Sequence, residues 1–207
     1  MGRKRRRTGR AARGGRPAGV DETPLRIVGG RMRGRKLAYS GDPRTRPMKD
    51  RVREALFNLI GPEIQGKHAV DLFAGTGALG LEALSRGASR ATLVERHFPT
   101  ANIARENAVG LGVAEVTDVV TADTFLWAKG QPTDTASWAL FCSPPYDFYV
   151  DRAMEMLELI GSLIDRAPRG SVVVVEADAR FDFETLPGPD RWDVRRYPPA
   201  VVGLLRI

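Results

Sequence analysis

One cysteine and two histidines are all the thiol and imidazole that 207 residues offer. A single thiol excludes an intrachain disulfide, and no metal-site spacing can be built from so few soft ligands. No metal is expected. Cys142 lies in an apolar run and reads as a small buried hydrophobe rather than a nucleophile. Long hydrophobic runs are also missing: none approaches the roughly 20 residues needed to span a bilayer. The first residues are too basic for a secretory signal and lack its apolar centre. A cytoplasmic protein without a membrane partner is the expectation. Acidic residues are scarce in one region only. Residues 1–53 hold 18 Lys/Arg against four Asp/Glu, and the remainder hold 14 against 21. The mildly acidic body suits a soluble enzyme, and the cationic front suits a polyphosphate partner.

The body is organised around residues 67–80. A short apolar run, Ala69 to Phe73, meets the glycine turn Gly75-Thr76-Gly77 and then a helical pattern, Leu79, Leu81, Ala83 and Leu84, with Glu82 and Arg86 placed outside. This is the strand, tight loop and helix that open a βαβ unit. Glycines let a ligand lie against bare main chain, and the helix start presents free N–H groups to it. Gly75 to Gly80 fits the G-x-G-x-x-G dinucleotide fingerprint, a weak signal by itself. Asp71, four positions before Gly75, is expected at the mouth of the site, where it would repel a pyrophosphate and suit a cation. Asp71-Leu72-Phe73-Ala74-Gly75-Thr76-Gly77 resembles the first motif of class I S-adenosylmethionine (SAM)-dependent methyltransferases. SAM carries a sulfonium and an ammonium, so the resemblance implies a cofactor that suits Asp71.

Ahead of this loop, residues 1–20 are Arg, Gly and Ala with little to bury, and read as a disordered basic tail. Residues 21–62 read as a basic hairpin and helix that dock on a main domain, 63–207. Leu25, Ile27 and Val28 face Leu37 and Tyr39 across a turn at Gly29-Gly30 or Gly34. A helix follows on Val52, Ala55, Leu56 and Leu59–Ile60, closed by Gly61-Pro62, with Arg51 and Arg53 on the other side. Arg33, Arg35, Lys36, Arg44, Arg46, Arg51 and Arg53 are the candidate RNA-binding residues. Two stretches, Arg26-Ile27-Val28-Gly29-Gly30 with Arg33 to Leu37, and Arg46-Pro47 with Asp50 to Asn58, resemble the opening of the bacterial 16S rRNA guanine-N2 methyltransferase family. The resemblance runs from about residue 25 to the C-terminus. It implies a Rossmann-like class I methyltransferase fold: α/β, with a seven-stranded, mostly parallel sheet and helices on both faces. It also implies ribosomal RNA as partner, within a small-subunit particle; a monomer is expected.

The remaining site candidates fall at strand ends. Glu95 closes the run Ala91–Glu95, 20 residues after Gly75, where a carboxylate can accept ribose hydroxyls. Arg96 follows it. After a strand near Val116–Val120 comes Asp123, which by resemblance holds the adenine amino group, with Thr124 or Phe125 beside it. Helix capping is the other reading of Asp123. Trp138–Cys142 runs into Ser143-Pro144-Pro145-Tyr146-Asp147. The prolines hold extended backbone and free the Pro144 carbonyl to accept a hydrogen bond. Resemblance implies the amino-methyltransferase motif, usually Asp or Asn, then Pro-Pro, then an aromatic residue. By it, Ser143, Pro144, Pro145 and Tyr146 are the candidate catalytic residues, with Tyr146 stacking on the base. Ser143 departs from the pattern. It permits a slower guanine-N2 methyltransferase, an amino methyltransferase with another substrate, or a SAM- and RNA-binding homologue that does not methylate. Asp147 is a candidate substitute. One helix over 149–164, a doubly buried strand at 171–176, and a closing strand pair at 191–197 and 200–207 complete the expected domain.

Overall fold

The structure, a computed structural model, describes residues 25–39, 41, 47–130 and 136–207. The tail at 1–20, Arg44 and Arg46 lie outside the described residues. Seven strands form one sheet: β1 His68–Asp71, β2 Arg90–Glu95, β3 Thr117–Thr121, β4 Trp138–Cys142, β5 Val172–Asp178, β6 Asp193–Tyr197 and β7 Ala200–Arg206. Their order is β3-β2-β1-β4-β5-β7-β6. The first five pair in parallel, and β7 runs antiparallel between β5 and β6. The chain order reverses at β1, and open α/β sheets bind ligands beyond the strand ends at that switch point.

Side chains of a strand alternate between faces, so each strand feeds two cores. Ala69, Leu93, Phe141 and Val174 pack with α1 (Asp50–Ile60), α2 (Ala78–Ser85) and α3 (Phe98–Leu111). Val70, Leu140, Cys142 and Val175 pack with α4 (Thr124–Lys129) and α6 (Ala153–Arg166), beside the short α5 (Phe148–Asp151). With a core on each face, the central strands are continuous apolar runs, as the sequence predicts. Cys142 is buried, and burial pushes its thiol up to about 12. Among the described residues, no helix is long and apolar enough to cross a membrane.

Residues 25–39 fold back on themselves as the expected hairpin: Arg26 bridges Lys36 in antiparallel fashion, Ile27 N donates to Arg35 O, Gly34 N to Ile27 O and Leu37 N to Leu25 O, around a short 3-10 turn at Gly30–Met32. Three other local expectations are corrected, the first of them the outward placement of Glu82. Backbone groups around the hairpin's turn are taken by side chains of α2. Ser85 Oγ donates to Gly29 O at 2.6 Å and accepts from Met32 N at 2.9 Å, and Glu82 Oε2 accepts from Val28 N at 2.7 Å. Glu82 is therefore buried under this segment and does not lie outside. The expected helix at 149–164 breaks at Arg152, with φ −132° and ψ 33°. Phe148 and Tyr149 anchor the first piece in the core cluster, whereas Val150 and Met154 are exposed.

The third correction is Arg53, read from sequence as an RNA contact. It is fully buried. Its guanidinium donates to Met48 O at 3.0 Å, to Arg26 O and to Asp50 Oδ1 at 2.7 Å, and stands 3.8 Å from Glu82. A group with five fixed donors can tie loop, helix start and α2 together at once. Helical spacing explains the miss: Arg53 falls on the same stripe as Leu56, Phe57 and Ile60, all buried.

Candidate active site

A cavity of about 830 Å³ opens at the carboxyl ends of β1, β2, β4 and β5. Its size is that of a small-molecule site. Asp71 ends β1 and lies on the floor, buried, not at the mouth. Its Oδ2 accepts from Gly80 N at 3.2 Å, whereas its buried Oδ1 has no hydrogen-bond partner. Burial pushes Asp71 up to about 7, against the lowering effect of backbone N–H groups of Gly80 and Phe73; Glu95 and Glu176 add smaller upward pushes. A buried carboxylate oxygen without a donor is costly in isolation. A cation or N–H donor in the cavity would satisfy it.

The glycine loop sets the next wall. Phe73, Ala74, Gly75 and Thr76 line the cavity. Gly75 and Gly77 have φ of +53° and +87°, in the left-handed region that other residues rarely adopt. Gly77 lies behind the wall. A Cβ there would stand 3.0 Å from Leu93 Cδ1, so the glycine shapes the turn and the packing of α2. Glu95 is braced by backbone: Oε2 accepts from Gly75 N at 2.9 Å and Oε1 from His97 N at 2.7 Å. Each oxygen keeps a lone pair for a hydroxyl. Arg96 stands exposed at the rim, 5.9 Å from the Phe148 ring centre.

Asp123 caps α4, accepting from Phe125 N at 2.9 Å and Leu126 N at 3.2 Å, and also lines the cavity. The capping role that the sequence left open is present. Thr124 is buried and its hydroxyl donates to Leu72 O, which ties α4 to the end of β1. It contributes wall rather than a free donor. Phe73, Phe125 and Phe148 form an aromatic cluster at 5.9–6.4 Å between ring centres, and the Arg152 guanidinium lies 3.8 Å over Phe125.

The motif after β4 completes the crevice. Ser143, Pro144, Pro145 and Tyr146 all line it. The turn after it is closed by the carbonyls of Pro145, Tyr146 and Asp147, so the Pro144 carbonyl is left out of that ladder. Asp147 does not substitute for the missing motif carboxylate: its Oδ1 accepts from Arg180 at 2.9 Å, and the side chain is 73% exposed. Sequence reasoning missed Glu176. This buried residue near the end of β5 accepts from both Ser143 Oγ and Tyr146 OH, the latter at 2.8 Å. The available signal was a lone carboxylate closing the apolar run Val172–Val175. Burial raises its pKa, against the lowering effect of the Ser143 and Tyr146 hydroxyls.

The basic candidates divide. Arg33, Arg35, Lys36 and Arg51 are exposed, with Arg35 donating to Gly110 O at 2.6 Å. Pro47, Met48, Lys49 and Val52 border the cavity, so the N-terminal segment forms one side of its entrance.

Comparison with known proteins agrees with this architecture. The family model Conserved hypothetical protein 95 matches residues 25–196. The chain is 38% identical over 175 residues to ribosomal RNA small subunit methyltransferase D of Escherichia coli K12, covering 83% of each protein. It is 35% identical over 135 residues to the protein of the same name from Haemophilus influenzae, covering 64% of this chain and 70% of that one. The solved structure of the Escherichia coli protein yhhF superposes with a TM-score of 0.71 at 32% identity, over 87% of this chain and 96% of that one. Glycine loop, strand order and Pro-Pro turn are thus joined by sequence similarity along most of the chain, which belongs to the Conserved hypothetical protein 95 family of ribosomal RNA small subunit methyltransferase D.

Proposed function

We propose that this protein transfers a methyl group from SAM to the exocyclic N2 of a guanine in small-subunit ribosomal RNA. Its place in the family supports methylation of small-subunit rRNA. The observation that carries the finer reading is the crevice that puts the buried, half-satisfied carboxylate of Asp71 beside the Pro-Pro turn. When bound, SAM supplies an electrophilic methyl group. Asp71 offers its unpartnered oxygen to the ammonium. Glu95 offers both oxygens to ribose hydroxyls, and Asp123 offers its carboxylate to the adenine amino group. Phe73 and Phe125 wall the ring.

The protein's task toward the acceptor is orientation. The guanine amine is a poor nucleophile because its lone pair is delocalised into the ring. Accepting both of its N–H bonds turns the lone pair toward the methyl group. The Pro144 carbonyl accepts one of them. The Tyr146 ring stacks on the base, which must leave any helix that holds it. Once its proton is released, above about pH 7, Asp71 charges the cavity negatively, which suits a cationic donor and disfavours a pyrophosphate.

The test is transfer of labelled methyl from SAM to small ribosomal subunits lacking the modification, with naked RNA and DNA in parallel. N2-methylguanosine is the expected product. SAM binding without transfer to any of these would refute the reading. The exposed basic surface gives a second expectation. Arg51→Ala and Arg33→Ala should each lower the salt slope of RNA binding by about one. An unchanged slope would assign both residues to the fold.

A further inference from the structure

The amino-methyltransferase motif carries an acidic or amide side chain where this chain has Ser143, yet the crevice does not lack a carboxylate there. Glu176 on β5 supplies one from the neighbouring strand, since β4 and β5 pair in parallel with Cys142 opposite Val175. One oxygen of Glu176 accepts from Ser143 Oγ and the other from Tyr146 OH. Both hydroxyl protons therefore point at Glu176. A hydroxyl has one proton and two lone pairs. With its proton held by Glu176, Ser143 can offer an incoming N–H only lone pairs. The serine becomes an acceptor of fixed orientation, polarised by the anion behind it. Charge-assisted hydrogen bonds are roughly twice as strong as neutral ones, and bonds in series polarise one another.

We propose that Glu176 is a positioning residue for methyl transfer, which through Ser143 restores the amine acceptor that the motif carboxylate provides in other amino methyltransferases. The same contact fixes the tilt of the Tyr146 ring against the base. Glu176 is buried at the cavity wall and acts through the two hydroxyls that it holds. Burial raises the pKa of Glu176, and the hydroxyls of Ser143 and Tyr146 act against that rise by holding the charged form. This inference rests on the reading of the site as an amine methyltransferase.

The arrangement makes a non-additive prediction. Glu176→Gln places an amide where the carboxylate accepted. Ser143 can then accept from the new amide N–H and turn its own proton toward the amine, which would oppose binding of an N–H. We expect kcat to fall about tenfold to a hundredfold, with SAM affinity by calorimetry and melting temperature near wild type. Ser143→Asp alone would set two carboxylates in contact and should also lower kcat, although it restores the common motif. In the double variant Ser143→Asp/Glu176→Gln the introduced amide donates to the introduced carboxylate, and kcat should recover to within about threefold of wild type. A merely structural role for Glu176 predicts no such recovery. Wild-type kcat in Glu176→Gln, or a double variant no faster than the slower single, would overturn the inference. Failure of the wild type to form N2-methylguanosine would instead remove the functional reading, and the inference with it.

Discussion

Asp71→Asn should weaken SAM binding by about tenfold to a hundredfold, while leaving the unliganded protein as stable as wild type or more so. The two halves of this expectation share one cause. Burial raises the Asp71 carboxyl from its ordinary value of 3.8 to about 7. The folded state thus holds a proton that the unfolded chain releases at lower pH. Stability of the unliganded protein therefore declines as pH rises from about 4 to about 7, and the penalty is complete above that. Asparagine carries no charge to desolvate, so the variant should melt at or above the wild-type temperature at pH 8. A cationic ligand reverses the balance. The anion then has a partner, and a hydrogen bond to a charged group contributes roughly 1.5–3 kcal/mol. Wild-type affinity for SAM should rise with pH up to about 7 and flatten beyond, because below that value binding must first remove the proton. The Asp71→Asn protein should show no such rise. Glu95 and Glu176 both push the Asp71 pKa upward, so removing either charge should move the inflection to lower pH. Calorimetric titration with SAM between pH 5.5 and 8.5, with melting curves alongside, decides the matter. Equal affinity of the two proteins at pH 8 would exclude Asp71 from cofactor binding.

Legibility from sequence followed periodicity and punctuation. Strand β4 falls on the expected residues, Trp138–Cys142, because its apolar run is cut off sharply by Ser143 and two prolines. The β1–loop–α2 unit was legible because glycine turns mark where a strand stops. The seven-stranded, mostly parallel sheet was not written in any one segment and came with the family resemblance, and the strand order came only with the structure. What stayed hidden was long-range pairing of polar groups. Nothing local tells Ser85 and Glu82 apart from solvent-facing helix residues; they are buried because Gly29, Met32 and Val28 need partners. Glu176 was hidden for the same reason: its partners lie 33 and 30 residues away. The break at Arg152 was missed because apolar spacing runs through it unbroken, while two aromatic residues before it set the actual anchor.

Arg53 shows where charge misleads, and it yields the largest expected stability effect. The residue belongs to a cationic stretch, yet its side chain is fully buried among Met48, Arg26, Asp50 and Glu82. Removing one partner of a buried charge pair strands the other, and typically costs about 3–5 kcal/mol. Arg53→Ala also leaves Met48 O and Arg26 O without donors and opens a cavity beneath α1. For a chain of this size, each kcal/mol lowers the melting temperature by about 2–4 °C, so a drop of roughly 10 °C is expected. Arg86 still pairs with Glu82 at 2.8 Å, which limits the loss. Arg53→Met with Glu82→Gln removes both charges and keeps most of the volume, so it should recover part of the drop. The RNA measurement separates fold from contact: below its melting point, the Arg53→Met/Glu82→Gln protein should bind RNA with the wild-type salt slope, whereas Arg51→Ala lowers it by about one. A salt slope lowered in the Arg53 variant, with melting unchanged, would return that residue to the RNA surface. The expected result ties Arg53 to the entrance of the crevice by mechanics, since Met48 and Lys49, which border the cavity, are held by the guanidinium and by the first turn of α1.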